Sequence, residues 1–92
     1  MVELAHEVWE DPDNSSFAFG LPHPRKDKLR AEMEPNARLL HVIFASSYNA
    51  AMAAYYAWQD WGEYAPFEGF EDLAYTAEQL DEQRALRPSL YA

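Results

Sequence analysis

The chain has 92 residues, of which 49% are apolar and 15% aromatic, and its formal net charge is −9. This length predicts one domain with a modest core, and the apolar content excludes a wholly disordered chain. The chain has no cysteine, which excludes disulfides, thiolate catalysis and thiolate metal sites. Without disulfides, and without a signal peptide at its start, the protein is expected to be cytoplasmic.

The charge distribution argues against a nucleic-acid partner. Residues 60–82 contain eight acids and no Lys or Arg, and residues 1–24 contain five acids and no Lys or Arg. Such a surface repels nucleic acid at long range. A short basic run at residues 25–30 could contact a phosphate, but we interpret it as a solvated helical turn.

Residues 1–24 are predicted to form an irregular N-terminal arm. The segment 3–9 fits two helical turns, and Pro12 with residues 14–16 then interrupts regular structure. Phe17, Phe19 and Leu21 alternate with small residues, which is typical of a short strand. Because one strand without a partner is not stable, we expect an extended arm laid on a helix.

The next segment, residues 25–33, is predicted to be a short helix. Pro24 suits the opening of a helix, and the residue before Pro35 avoids the α region, so the helix ends near residue 34. Leu29 and Met33 are four residues apart and are expected to face inward.

Residues 37–61 are predicted to form one long central helix. Asn36 is a suitable N-cap and Gly62 a suitable stop, which gives a helix of roughly 37 Å. The 21 residues from 39 to 59 carry no charge, a length that would suit a membrane span. Asn49 near the middle and several other polar residues argue against a membrane location.

A loop over residues 63–71, rich in aromatics, is expected to fold back over this helix, and a last helix is predicted over residues 72–86. Thr76 and Gln79 fit a capping box, so the regular part of that helix can also begin at Ala77.

The predicted fold is therefore mainly α in a single domain, residues 1–92. The long helix 37–61 is packed by the helices 25–33 and 72–86, which gives a helical core over 25–86 with the arm 1–24 and a tail 87–92.

No catalytic motif is present, and no catalytic residue, metal site or cofactor is predicted. His6 and Glu10 would share one face of a helix, but no further ligands follow at a diagnostic spacing. His41 is interpreted as a packed residue of the central helix.

The aromatic run over residues 55–64 is the least ordinary feature of the chain. Its rings would point in several directions on a helix, so a small core cannot hold all of them. Exposed Trp and Tyr favour protein contacts, and we predict Tyr56, Trp61 and Tyr64 as interface residues.

Three functional hypotheses follow. The leading one is a non-catalytic helical interaction module, either a homodimer or a subunit bound to a protein partner. The second is an acidic inhibitor that occupies a basic site on a nucleic-acid-binding protein. The third is a small-ligand or metal-binding enzyme subunit that uses His6, His41 and the aromatic-rich loop over residues 63–71.

Overall fold

The computed structural model describes residues 1–91 and contains both strands and helices. The elements in chain order are strand β1 (Leu4–Asp11), strand β2 (Ser16–Gly20), helix α1 (Pro24–Met33), strand β3 (Arg38–Ala45), helix α2 (Tyr48–Gln59), helix α3 (Ala77–Leu86) and a 3₁₀ turn (Pro88–Tyr91). The strands form one antiparallel sheet in the order β2-β1-β3, so β1 is the central strand.

The prediction of a mainly α fold is wrong. The protein is a small α/β fold that is 40% helical and 23% strand, with a three-stranded antiparallel sheet and three short helices. The predicted tail forms the 3₁₀ turn as far as Tyr91, and residue 92 lies outside the described residues.

The predicted irregular arm is instead a β-hairpin. The segment expected to form helical turns is β1, which pairs with β2 from Glu7 opposite Gly20 to Asp11 opposite Ser16. The hairpin turns at residues 12–15, where the Asp11 carboxylate accepts from the backbone N–H of Asp13 and Ser15 adopts a left-handed φ of 51°. The partner strand that Phe17 and Phe19 needed is therefore supplied by β1.

The predicted long helix 37–61 is two elements. Residues 38–45 form β3, which pairs with β1, and Ser47 then begins α2 as an N-cap whose Oγ accepts from the N–H of Ala50 at 3.2 Å. The apolar run in β3 includes Val42 and Ile43, whose β-branched side chains suit a pleated sheet. Asn36 therefore caps no helix, and α2 ends at Asp60 in the left-handed conformation, two residues before Gly62.

One face of the sheet carries the apolar core. Val8 of β1 and Ile43 of β3 are buried against Tyr55 of α2, and Met52 packs at the edge of this cluster. Phe19 of β2 stacks on Tyr55 with ring centroids 4.1 Å apart and an interplanar angle of 3°. The apolar face of α2 thus covers one side of the sheet.

The opposite face is held by polar contacts from the two other helices. Arg87, which caps α3, forms ion pairs with Glu7 of β1 at 2.9 Å and with Asp27 of α1 at 2.7 Å. Arg30 of α1 pairs with Asp27 and lies over the Trp9 ring, 3.8 Å from its centroid. This network joins α1, α3 and the central strand.

The prediction of a helix near residues 25–33 is confirmed by α1, but the prediction that its apolar residues face inward is wrong. Pro24 opens the helix, and it ends at Met33 before the C-cap Glu34. Leu29 and Met33 are exposed and not directed into a core. The start of α3 at Ala77 matches the alternative prediction, because Thr76 and Gln79 form the reciprocal capping box.

Gln83 completes the hydrogen bonding of the central strand. The last pair between β1 and β2 is Glu7 with Gly20, so the backbone of Ala5 has no strand beside it on that side. The buried Gln83 amide accepts from the Ala5 N–H at 2.7 Å and donates to the Ala5 C=O at 2.8 Å. One side chain therefore takes the place of a peptide group in a missing strand.

Replacing Gln83 with Leu is expected to lower the free energy of unfolding by about 2–4 kcal/mol, because two buried backbone groups lose their partners. Urea denaturation measures the change. Asp81→Leu, on an exposed position of the same helix, is the control and is expected to stay within about 0.5 kcal/mol of the wild type. Equal stability of the two variants would show that Gln83 does not complete the strand.

Candidate functional site

The segment 60–76, here called the aromatic loop, joins the end of α2 to the start of α3 and is attached at both ends of α2. It leaves the helix at Asp60 and returns to the N-terminus of α2. There Asp72 accepts from the Ser47 hydroxyl at 2.8 Å and from the Asn49 N–H at 3.0 Å, and the Tyr75 N–H donates to the Ser46 carbonyl at 2.9 Å. A carboxylate at a helix N-terminus is also favoured by the helix dipole.

The three predicted interface residues are brought together at the start of this loop. The Tyr56 ring contacts Trp61 edge-on at 5.3 Å and Tyr64 edge-on at 5.1 Å, as measured between ring centroids. Tyr56 and Tyr64 are half-buried, whereas 56% of Trp61 is exposed. Tyr56 of α2 therefore contacts both aromatic residues of the loop.

The loop also exposes apolar side chains that the sequence analysis did not single out. Phe67 is 75% exposed, Leu73 is 69% exposed, and Phe70 leans on Tyr48 of α2 at 5.5 Å. The prediction that the loop aromatics fold over the helix therefore holds for only part of them, because Phe67 is exposed. The signal available in the sequence was an apolar residue at every third position, 67, 70 and 73, in a stretch without regular structure.

Acidic side chains alternate with these apolar ones. Glu63, Glu68 and Glu71 are all exposed, and no Lys or Arg occurs between residues 60 and 82. We use the name loop surface for the exposed side chains Trp61, Phe67, Phe70 and Leu73 together with these three acids. Along the chain, its apolar and aromatic residues are interspersed with acidic residues and with no basic ones.

A buried hydrogen bond ties the loop to the central strand. His6 is 2% exposed, and its Nδ1 lies 3.0 Å from the Leu4 carbonyl oxygen and 3.2 Å from that of Ile43. Since carbonyl oxygens only accept, Nδ1 carries the proton, and Nε2 accepts from the Tyr75 hydroxyl at 2.8 Å. Both ring nitrogens of His6 are therefore engaged inside the protein.

The pKa values of this pair follow from the same geometry. Burial lowers the pKa of His6 below its ordinary value of 6.5, and the two carbonyl hydrogen bonds oppose part of that effect. Burial raises the pKa of Tyr75, and the charges of Asp72 and Tyr48 act in the same direction. Both side chains are thus neutral near pH 7, as the hydrogen bond requires.

The other histidines have local structural contacts. His41 stacks on Trp58 with ring centroids 5.1 Å apart, and the His23 Nδ1 accepts from the Arg25 N–H at 3.0 Å as the N-cap of α1. The pair of His6 and Glu10 does not share a helical face, because both residues lie on β1. Within residues 1–91, no three His, Asp or Glu side chains are grouped so that they could hold a metal ion.

No helix among the described residues is both long and apolar enough to cross a membrane. The uncharged stretch 39–59 is divided between β3 and α2, and α2 has 12 residues.

Comparison with known proteins does not extend this description. The chain matches no protein-family model, no curated protein and no solved structure at a significant level. The fold and its surfaces therefore define the class: a small α/β protein with a three-stranded antiparallel sheet, a helix on one face and two on the other.

Acidification is expected to destabilise the protein through His6. The unfolded chain takes up a proton at His6 below pH 6.5, whereas the folded chain does so only at a lower pH. The free energy of unfolding therefore falls as the pH decreases from 6.5 toward the lower folded pKa. Urea denaturation at about pH 7.5 and about pH 5.5 measures this loss.

His6→Gln is the test variant. At the higher pH it is expected to be less stable than the wild type by about 1–3 kcal/mol, because buried hydrogen bonds are lost. This difference should shrink at the lower pH. His41→Gln, at an exposed position, is the control and should keep the pH dependence of the wild type. If His6→Gln also keeps the pH dependence of the wild type, His6 is not the group that destabilises the protein at low pH.

Proposed function

We propose that the protein is a non-catalytic interaction module that binds a protein partner through the loop surface. The observation that carries this proposal is the exposure of Trp61, Phe67 and Leu73 on a loop that is fixed at both ends. Soluble proteins rarely leave large apolar side chains grouped on their surface unless the group contacts something.

The attachment of the loop supports binding for an energetic reason. A loop held by Asp72 at the N-terminus of α2 and by Tyr75 on His6 loses little conformational entropy when a partner binds. The few residues that dominate the binding energy of protein interfaces are also enriched in Trp and Tyr. The loop surface combines both features.

The charge of the loop surface defines the chemistry of the partner. Glu63, Glu68 and Glu71 are exposed between the apolar residues of the loop, and the whole chain carries a net charge of −9. A complementary partner has an apolar groove with Lys or Arg at its rim. The rim charges would speed association at low salt, while the apolar contacts would keep the complex together at high salt.

The test compares tagged proteins in extracts of the native cell. The double variant Phe67→Ser/Leu73→Ser changes two exposed side chains of the loop, and Met33→Ser changes an equally exposed side chain of α1. The wild type and Met33→Ser are expected to retain one stoichiometric partner at both about 0.15 M and about 0.6 M salt. The double variant should retain at least about tenfold less, a loss of about 1.4 kcal/mol in binding.

The partner is then purified and its affinity measured by calorimetry for the same three proteins. Equal affinity of the double variant would contradict the proposal. A complex that forms at low salt and is lost at about 0.6 M would instead favour the second hypothesis, an acidic inhibitor held mainly by charge.

A further inference from the structure

Strand β3 leaves one edge of the sheet without a partner. Along an antiparallel strand, the backbone N–H and C=O groups of successive residues point to alternate sides. Since the Ala5 groups point toward Gln83, those of its opposite residue, Phe44, point away from β1, and so do those of Val42. Among residues 1–91, no hydrogen bond is made to these outward groups of Val42 and Phe44.

This edge has few of the features that normally prevent strand pairing. Exposed edge strands are commonly protected by charges, prolines or short length. Residues 39–45 contain no charge and no proline, and β3 is eight residues long. Leu39, Leu40 and Phe44 are all exposed along it. A bulge is present, but it falls at Leu40, near one end, and leaves residues 41–45 in regular pairing with β1.

The other edge of the sheet is less suited to pairing. Strand β2 has five residues and is followed directly by Leu21 and Pro22. The Lys26 ammonium group lies beside Gly20 at the end of β2, where a Cβ atom would be only 3.0 Å from it. The open edge available for a long strand is therefore β3.

The charges at the two ends of β3 are complementary to each other. Arg38, at the first position, pairs with Glu10 of its own chain at 2.9 Å, and its side chain is still 66% exposed. Asp72 lies beside Ser47, just beyond the last position. If two β3 strands pair antiparallel, Arg38 of each copy lies near the end of β3 beside Asp72 in the other copy. The residues between these two ends, 39–45, are uncharged. The net charge of −9 makes two copies repel each other overall, and the uncharged stretch 39–45 adds nothing to that repulsion where the two β3 strands would meet.

We propose that β3 pairs with β3 of a second copy, antiparallel about a two-fold axis at Val42, to form a continuous six-stranded sheet. In this register the Val42 residues of the two copies exchange two backbone hydrogen bonds, and Leu40 of one copy lies opposite Phe44 of the other. The interface is self-complementary, as a two-fold dimer requires. It uses a different surface from the loop surface and goes beyond the proposed function.

Two double variants at the same positions test this register. Leu40→Lys/Phe44→Lys places like charges opposite each other across the two-fold axis, whereas Leu40→Lys/Phe44→Glu places opposite charges there. Both variants lose the contact between Phe44 and Tyr91 equally, so they are matched for that effect. Phe17→Lys, on the β2 edge, is the control. Circular dichroism confirms that each variant is folded.

Sedimentation equilibrium over about 1–100 μM protein measures the molar mass. The wild type, Phe17→Lys and the Lys/Glu variant are expected to approach twice the chain mass of 10.6 kDa, and the Lys/Lys variant to weaken dimerisation by at least about tenfold. In hydrogen exchange by NMR, the Val42 and Phe44 amides should be protected in the dimer and exchange faster in the Lys/Lys variant.

Three results would overturn the proposal. The first is a wild type that remains monomeric at about 100 μM. The second is a Lys/Lys variant that dimerises as well as the wild type, which would place the interface on another surface. The third is a Lys/Glu variant that is as monomeric as the Lys/Lys variant, which would exclude the register about Val42.

Discussion

The fold depends on the requirement that the backbone of the central strand β1 be hydrogen-bonded on both sides. β3 satisfies one side from Leu4 to Glu10, but β2 covers the other side only from Glu7 onward. The Gln83 amide supplies what is missing at Ala5. This bond links residues 78 positions apart in the chain and fixes where α3 must lie, because the amide can reach both backbone groups from only one direction.

The side chains of β1 then determine the two layers on either side of it. Val8 and His6 face α2, whereas Glu7 faces α1 and α3. His6 and Glu7 are polar and almost fully buried, and each holds a distant segment: His6 binds Tyr75, and Glu7 binds Arg87. Neither α1 nor α3 buries an apolar side chain. The C-terminal third of the chain is therefore positioned by specific hydrogen bonds and ion pairs more than by apolar burial. Such contacts fix one arrangement, because a misplaced partner leaves a buried polar group unsatisfied.

The parts of this fold that the sequence could predict are those set by neighbouring residues. The opening of α1 at Pro24 and the capping box of Thr76 with Gln79 are local, and both were predicted. The division of 37–61 into β3 and α2 was not predicted, because an apolar run with many alanines fits a buried strand or a helix equally well. Pairing with β1 makes residues 38–45 a strand. The sequence did not identify β1 as a central strand, because its buried residues include the polar side chains His6 and Glu7.

The candidate site shows the same distinction. Tyr56, Trp61 and Tyr64 are close in sequence, and the left-handed turn at Asp60 brings them together. Whether Phe67 points inward or outward depends on where the loop returns, and that is set by the bond from Ser47 to Asp72, a contact between residues 25 positions apart. The apolar residues at 67, 70 and 73 are a local pattern, but that pattern does not determine the direction in which Phe67 points.

The two proposed surfaces are physically connected at the end of β3. The Ser46 carbonyl accepts from the Tyr75 N–H and the Ser47 hydroxyl donates to Asp72, so the strand and the aromatic loop share one attachment. In the proposed dimer, Arg38 of the second copy approaches this attachment and offsets the negative charge of Asp72. Pairing of β3 would then hold both loops in place and present two copies of the loop surface related by the two-fold axis. A partner with two binding grooves would engage both at once, and its avidity would exceed the affinity of either loop without any additional contact.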